Sequence, residues 1–462
     1  MKIKCMFRRM AVFAVAACLA AGLCACSGGG SGKEPEGGSS DGNISREGRD
    51  ITLTFAAWFD PDLQQHLANA FMETHANVYV ELIEIDQNSW SSALQNLAST
   101  GDLPDAFCTF DLGTAAANGW CADITEYYDS DPEVGKIAEG LKVAGVYDGV
   151  RYGLVTEQYP CVVLINKTQF EENNVALPGY DWTIDEMYAL AEKLTKPNEH
   201  QYGLGNNVLS YLRDVYDAAY TTDLMQYGYK PDQGTFDTTY LAQGYAKGLE
   251  LLNSGVAGNP TEQEKLEWYG DESIWLPKTG KQAMQLDWYW TIATVKSDAY
   301  ADLGQEWLAY PFPMGTSGRV QTIVNVGCVA ESCEYPEEAY ELLKFMTFGV
   351  EGWKSRFEWY TANSQLPASV PITSDQEVLN MLYELTPGED YAAVYESIDR
   401  SVANVSKWVP GLTDYESWMS SQKIWTNLRN SSLKVEDISG QMEQKLNYYY
   451  EQTMSKIKAR KN

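Results

Sequence analysis

Aromatic rings and carboxylates are the side chains of this 462-residue sequence best suited to recognising a small molecule. The chain contains 14 Trp, 30 Tyr and 13 Phe, which make up 12% of it, together with 64 Asp and Glu. Most of these rings must pack in the core. Amphipathic rings also suit a ligand that has C–H faces and hydroxyl rims, as a sugar does. The composition therefore favours a polyhydroxylated ligand held between rings and acids.

Other residue types exclude several classes of function. The three histidines, His66, His75 and His200, have no metal-ligand spacing, so we expect no histidine-rich zinc or iron centre and predict no metal. The net charge of −30 would repel a phosphate backbone, so nucleic acid is not an expected partner. No GxxxxGK[ST] phosphate-binding loop occurs, so any ATPase must be a separate polypeptide.

Residues 1–25 are predicted to be a lipoprotein signal peptide. Four basic residues precede an apolar stretch, Met10 to Leu23, that is too short to span a membrane as a mature helix. The stretch ends Leu23-Cys24-Ala25-Cys26, which resembles the bacterial lipobox. Cys26 is the predicted lipidation site, because Leu23 fits badly in the small position directly before an acceptor at Cys24.

The segment 26–49 is predicted to be a flexible tether because it is rich in Gly, Ser and charge. Removal of residues 1–25 takes away four positive charges and changes the net charge from −30 to −34. We therefore expect a lipid-anchored domain at the extracellular face of the cell membrane, or in the periplasm if the cell has an outer membrane.

The body of the chain contains an odd number of cysteines and no CxxC motif. They are Cys108, Cys121, Cys161, Cys328 and Cys333. At least one thiol must stay unpaired, and buried small hydrophobic residues are a better interpretation than a disulfide framework.

Strands and helices alternate along the body, which predicts an α/β fold with open sheets and right-handed crossovers. Predicted strands cover Ile51 to Phe55, Val78 to Ile85, a segment from Pro104, Tyr152 to Asn166, Gln282 to Leu286, Glu306 to Phe312 and Thr322 to Ala330. Six helices are predicted. One begins after Asp60, one ends at Gly101, one covers 112–118, one begins after the capping box at Thr183, and the last two cover Tyr335 to Phe348 and Val435 to Ile457.

Trp58 and Asp60 follow the first predicted strand. Ligands of open α/β sheets bind beyond the carboxyl ends of strands, so Trp58 could stack on a pyranose face and Asp60 could also contact the ligand. The alternative is that Trp58 packs under the sheet and Asp60 only caps a helix.

Seven motifs occur in an order and spacing that resemble the carbohydrate-binding family of extracellular solute-binding proteins of ABC transporters, which includes maltose-binding protein. They are Phe71-Met-Glu-Thr-His-Ala-Asn-Val-Tyr-Val80, Ala98-Ser-Thr-Gly-Asp-Leu-Pro-Asp-Ala-Phe107, Tyr147-Asp-Gly-Val-Arg-Tyr-Gly-Leu154, Val163-Leu-Ile-Asn-Lys167, Trp182-Thr-Ile-Asp-Glu186, Gly280-Lys-Gln-Ala-Met284 and Pro336-Glu-Glu-Ala-Tyr-Glu-Leu-Leu-Lys-Phe345. Ala76, Val155 and Ile165 depart from the family pattern at framework positions, and the last hundred residues match only loosely.

The resemblance implies a two-lobe, periplasmic-binding-protein-like fold of type II, in which crossing hinge strands join two open α/β sheets. Lobe one would hold 50–158 and 313–348, and lobe two 159–312 and 349–462. It further implies capture of a sugar in the interlobe cleft by a monomer. ABC permease subunits would then receive the sugar, with no cofactor and no catalytic residue.

The resemblance also suggests which side chains bind the sugar. Besides Trp58 and Asp60, the candidates are Phe110, Asp111, Glu157, Tyr159, Tyr211, Arg213, Asp287, Trp288, Trp290, Trp359 and Trp408. Trp290 falls, counted from Gly280, where maltose-binding protein has a sugar-stacking Trp. The alternatives are that Asp111 is an N-cap and that the 287–290 segment forms a buried aromatic cluster.

Three other functions remain open from the sequence alone. A polyamine could lie between rings and carboxylates in the same fold. A ferric ligand could use tyrosine pairs such as Tyr127-Tyr128, although adjacent residues of a helix, as in Tyr448-Tyr-Tyr450, do not face one direction. A secreted glycoside hydrolase needs two suitably spaced carboxyl groups. Such a pair can always be chosen from 64 acidic residues, so the sequence does not exclude this function.

Overall fold

The computed structural model describes residues 44–56 and 60–460. The predicted signal peptide, the predicted lipidation site Cys26, most of the predicted tether and Trp58 lie outside the described residues. The compact body is assigned to Asn43–Asn462. No helix of the described part is long and apolar enough to cross a membrane, and no group of three or more His, Cys, Asp or Glu there could hold a metal ion.

Two of the described strands, β6 with 13 residues and β13 with 10 residues, are longer than the others. They are β1 (Ile51–Ala56), β2 (Val78–Leu82), β3 (Ala106–Thr109), β4 (Val146–Tyr147), β5 (Val150–Arg151), β6 (Leu154–Asn166), β7 (Tyr202–Gly205), β8 (Tyr229–Lys230), β9 (Thr235–Phe236), β10 (Ala257–Gly258), β11 (Gln282–Trp288), β12 (Trp307–Pro311), β13 (Val320–Val329) and β14 (Ser401–Ala403).

The described α-helices make up most of the rest of the body. They are α1 (Pro61–Thr74), α2 (Trp90–Thr100), α3 (Leu112–Asn118), α4 (Thr125–Ser130), α5 (Glu139–Lys142), α6 (Lys167–Glu172), α7 (Ile184–Leu194), α8 (Val208–Tyr220), α9 (Thr239–Asn253), α10 (Glu262–Tyr269), α11 (Thr291–Val295), α12 (Asp298–Ala301), α13 (Pro336–Phe345), α14 (Val350–Ala362), α15 (Gln376–Leu385), α16 (Glu389–Glu396), α17 (Leu412–Ser421), α18 (Ile424–Arg429) and α19 (Val435–Arg460).

The α/β class predicted from the sequence is confirmed. One mixed sheet has the strand order β10-β7-β11-β6-β13-β3-β1-β2, with β12 on β6 and β14 on β13. The pairs β1–β2, β1–β3, β7–β10 and β7–β11 are parallel, whereas β6 and β13 run antiparallel to the strands that flank them, β14 excepted. The parallel groups lie at the two ends of the order, so β6 and β13 connect two α/β halves.

Strand β6 changes partners along its length. From Leu154 to Pro160 it pairs with β13, and from Cys161 it pairs with β11, while β12 lies on its other side from Val162. All thirteen residues of β6 are buried. A strand that belongs to both halves of the sheet is what the predicted crossing strand requires, and Glu157 and Tyr159 lie just before the change of partner.

Local signals account for most element boundaries. Asp60 caps α1 by accepting from the Leu63 amide at 3.2 Å, and Thr183 and Glu186 form the predicted capping box of α7. Gly101 ends α2 with a φ of 81°, a left-handed conformation that glycine adopts without steric cost. Two predicted elements extend three residues too far: β2 ends at Leu82 rather than Ile85, because the β1–β2 pairing ends at Phe55–Leu82, and α13 ends at Phe345 rather than Phe348.

Two pairs of packed helices, α8 with α9 and α1 with α14, carry predicted binding residues. Gly244 and Gly248 of α9 face α8, where an added Cβ would come within 2.3 Å of the Leu212 carbonyl oxygen and 2.7 Å of the Leu209 Cα, so glycine permits the close approach. Helix α14 packs on α1, where the His66 ring nitrogen Nε2 lies 3.2 Å from the Ser355 carbonyl oxygen.

Candidate ligand-binding site

Four aromatic rings form a continuous row beside the point where β6 changes partners. Tyr159, Trp290, Trp288 and Tyr211 follow one another at ring-centroid separations of 5.0, 6.4 and 5.2 Å. We call these four residues the aromatic row. Trp290 is 41% exposed, whereas Tyr159 and Trp288 are buried and Tyr211 is partly buried. The row therefore presents one open indole that is backed by packed rings.

The chain geometry at the end of β11 explains why Trp290 is exposed. Trp288 is the last residue of the strand, and Trp290 is the N-cap residue of the short helix α11. Tyr289, between them, points into the core, where its hydroxyl lies 2.9 Å from that of Tyr395. Each side chain of this segment thus has a different environment, and the alternative of a wholly buried aromatic cluster does not describe Trp290.

Asp287 lies beside the row with its carboxylate already oriented. Its Oδ1 accepts from the Tyr211 hydroxyl at 2.9 Å and from the Trp288 amide at 2.9 Å, and its Oδ2 lies 3.3 Å from the Gln285 Nε2 donor. Burial, together with the charge of Asp287, raises the pKa of Tyr211 well above its usual value. Tyr211 therefore stays a hydrogen-bond donor and fixes the acid at one end of the row.

Glu157 is the corresponding acid at the other end. It accepts from the Tyr159 hydroxyl at 2.9 Å and from Asn325 Nδ2 at 2.7 Å, and its Oε1 lies 3.8 Å from Arg356 Nη1. Asn325 is directly opposite Glu157 in the β6–β13 register. Burial raises the pKa of Tyr159 well above its usual value, and the charge of Glu157 raises it further.

Lys407, Asn325 and Arg356 belong to this network and were missed by sequence reasoning. The Lys407 ammonium donates to Asn325 Oδ1 and lies 5.2 Å from the centroid of the Phe110 ring. Burial lowers the pKa of Lys407 to about 8, although the charge of Glu157 opposes the shift. No sequence pattern marks these residues, because they come from three separate segments.

Lys407 gives a testable pH dependence. If its ammonium donates to a ligand oxygen, affinity falls as pH rises from 7 to 9, because Lys407, with a pKa of about 8, then loses its proton. We expect wild-type affinity to fall by roughly tenfold over this range, the scale of one charge-assisted hydrogen bond. Calorimetric titration at several pH values measures it.

The matched variant for this prediction is Lys407→Met, which keeps the length of the side chain and removes the charge. We expect its affinity to be weaker at pH 7 and constant up to pH 9. A wild-type affinity that does not change with pH, or a variant that retains the same slope, would show that Lys407 does not bind the ligand.

Two candidate acids also have local structural partners. Asp111 is the N-cap of α3 and accepts from the Thr114 amide at 2.9 Å and the Thr114 hydroxyl at 2.8 Å, while Phe110 packs 6.3 Å from the Trp90 ring. Asp60, the N-cap of α1, lines a cavity of 80 Å³ together with residues of the Glu157 network. A wider groove of 830 Å³ extends from Asp60 along α1 and β2.

Three predicted binding residues lie apart from the row, with partners inside the protein. Arg213 pairs with Asp214 through contacts of 2.6 and 3.0 Å. Trp408 is 1% exposed and donates to the Asn404 carbonyl at 2.6 Å, and Trp359 is 8% exposed on α14. Of the other candidates, the structure brings Tyr159, Tyr211, Trp288 and Trp290 into one row, with Glu157 and Asp287 beside it.

Comparison with known proteins identifies relatives of this chain. The model of a family described as bacterial extracellular solute-binding proteins matches residues 66–378. No curated protein sequence matches the chain significantly.

Solved structures share the fold at low sequence identity. An ABC substrate-binding protein of Listeria monocytogenes in complex with cycloalternan is 21% identical, with a TM-score of 0.65 over 86% of this chain and 98% of that one. A sugar transporter of Rhizobium etli in an open conformation is 18% identical, with a TM-score of 0.66 over 86% and 98% of the two chains. The sugar-binding protein MalE of Xanthomonas citri is 13% identical, with a TM-score of 0.64 over 87% and 98%.

Proposed function

This chain belongs to the family of bacterial extracellular solute-binding proteins, and on that premise we propose that it captures a sugar or oligosaccharide for an ABC importer. The observation that carries the proposal is the aromatic row, in which the exposed ring of Trp290 stands between two carboxylates, Glu157 and Asp287, that the protein already orients. Sugar-binding proteins among the structural neighbours support the same ligand class.

The chemistry of these groups matches a sugar. The C–H face of a pyranose packs on the indole of Trp290, a contact worth about 1 kcal/mol, and its hydroxyls donate to carboxylate oxygens in charge-assisted hydrogen bonds. Each carboxylate keeps lone pairs beyond those used by its protein donors. Because protein donors already orient both acceptors, fixing them on binding costs less entropy.

We propose that binding closes two lobes about β6 and β13. A ligand that contacts both lobes only when they are closed favours the closed state by its difference in affinity for the two states. The proposed lobes are 50–158 with 313–348 and 159–312 with most of 349–462. Helix α14 would move with the first lobe, because it packs on α1. The closed form would then dock on a separate permease.

The proposed lipid anchor makes a prediction about Cys26. Cys26→Ser removes the sulfur that would carry the diacylglycerol, so the protein should leave the membrane fraction and lose metabolic fatty-acid labelling. Cys24→Ser is the matched control and should remain labelled and membrane-bound. Retention of Cys26→Ser in the membrane, or release of Cys24→Ser, would contradict the assignment.

The proposed ligand class is tested by thermal unfolding of residues 27–462 with a panel of cycloalternan, maltotriose, mannotriose and spermidine. A ligand of the native state raises the melting temperature by mass action. We expect at least one saccharide to do so and spermidine to have no effect. Stabilisation by spermidine alone would favour the polyamine alternative. Release of shorter sugars from the stabilising oligosaccharide would favour an enzyme.

A further inference from the structure

Two buried cysteines that are not part of the aromatic row lie in contact. The Sγ atoms of Cys121 and Cys328 are 3.1 Å apart, although 207 positions separate the residues in the sequence. Cys121 is 2% exposed and Cys328 is fully buried. The sequence favoured unpaired, buried thiols for all five body cysteines, and the structure shows that two of them meet.

Backbone hydrogen bonds join the two chain segments that carry this pair of cysteines. Cys121 forms an isolated antiparallel bridge with Ala330, two residues beyond Cys328 along the chain. The Ala122 amide donates to the Val329 carbonyl at 2.9 Å, and the Glu331 amide donates to the Trp120 carbonyl at 2.9 Å. These bonds fix the segment after α3 against the end of β13, so the two thiols cannot drift apart in the folded protein.

We propose that Cys121 and Cys328 form a disulfide bond in the exported protein. A disulfide S–S bond is about 2.05 Å long, so closure requires the sulfurs to move together by about 1 Å, which side-chain rotation can supply. Membership of an extracellular family places the chain outside the reducing cytosol, where disulfides form and persist.

The oxidant is an external disulfide, either a small molecule such as oxidised glutathione or a thiol–disulfide oxidoreductase. The thiolate of one cysteine attacks a sulfur of this oxidant, forms a mixed disulfide and releases one thiol. The second thiolate then attacks the protein sulfur of the mixed disulfide and releases the second thiol. The protein loses two electrons and two protons, and the oxidant disulfide gains them as two thiols.

The burial of the pair determines when this step takes place. Burial raises the pKa of Cys328 well above its usual value, and the hydrogen bond with Cys121 raises it further, so little thiolate exists in the folded protein. The bond therefore forms while the chain folds after export, before the segment closes over β13. Mild oxidant added to the folded, reduced protein should react slowly.

The test is to refold residues 27–462 with a mixture of oxidised and reduced glutathione, alkylate the protein in denaturant and map its peptides. We expect a cross-linked pair of peptides that contain Cys121 and Cys328, with Cys108, Cys161 and Cys333 alkylated. The linked form should melt about 5 °C above the reduced form, because a bond across a long loop restricts the unfolded chain.

Two variants complete the test. Cys121→Ser should abolish the link and the gain in melting temperature, whereas Cys333→Ser, at a half-buried thiol, should leave both unchanged. Peptide mapping does not require the variant to be stable, so a failure to fold leaves the result readable. Alkylation of both Cys121 and Cys328 after oxidative refolding, or a link between any other two cysteines, would overturn the proposal.

Discussion

Trp290→Ala is expected to weaken binding of the stabilising saccharide by about 100-fold, because the variant loses the stacking contact of about 1 kcal/mol and also the apolar area that the indole and the sugar bury against each other. The melting temperature without ligand should change by only a few degrees, because the side chain is 41% exposed and little core packing is lost. Calorimetric titration gives the affinity, and thermal unfolding without ligand gives the stability.

The control for this prediction is Trp268→Ala. Trp268 is also partly exposed and stacks on the His200 ring at a centroid distance of 3.8 Å, but it lies on α10 and outside the aromatic row. Its removal should leave saccharide affinity unchanged. A large loss of ligand-free stability in Trp290→Ala would assign that ring to the core, and an unchanged affinity would remove it from the site.

Glu157→Ala is expected to reduce both stability and binding. The substitution leaves the Tyr159 hydroxyl and Asn325 Nδ2 without their shared acceptor and removes the carboxylate that lies 3.8 Å from the buried guanidinium of Arg356. Removing one member of a buried charged network costs about 3 kcal/mol of unfolding free energy, and loss of a ligand acceptor weakens binding as well. Urea unfolding and calorimetric titration measure the two effects.

Two variants calibrate the Glu157 result. Glu157→Gln keeps one acceptor oxygen and should lose about half as much stability. Glu351→Ala removes an exposed partner of Lys354 and should cost less than about 1 kcal/mol. If Glu157→Ala were as stable as Glu351→Ala, the network would not hold β6 and β13 together at this point.

Much of the fold could be predicted because its signals are local. The caps at Asp60 and Thr183 and the glycine at Gly101 mark helix ends by interactions within a few residues. The end of β2 was misjudged because it depends on the length of its partner β1, which is a tertiary property. Alternating polarity along 78–85 does not contain that information.

The site was predictable only in part, for the same reason. Asp287, Trp288 and Trp290 lie within one segment, so a single motif could indicate all three. Lys407 and Arg356 reach the Glu157 network from segments that carry no motif. Conversely, Arg213 and Trp408 have residue types that suit a sugar, but Arg213 forms an ion pair with Asp214 and Trp408 is buried in the core.

The most direct test of the account is a crystal structure of residues 27–462 with the saccharide that stabilises them most. We predict a sugar ring with one C–H face about 4 Å from the indole of Trp290, and with hydroxyls donating to Glu157 or Asp287. Sugar density elsewhere, for example in the groove along α1 and β2 with Trp290 still open to solvent, would contradict the account.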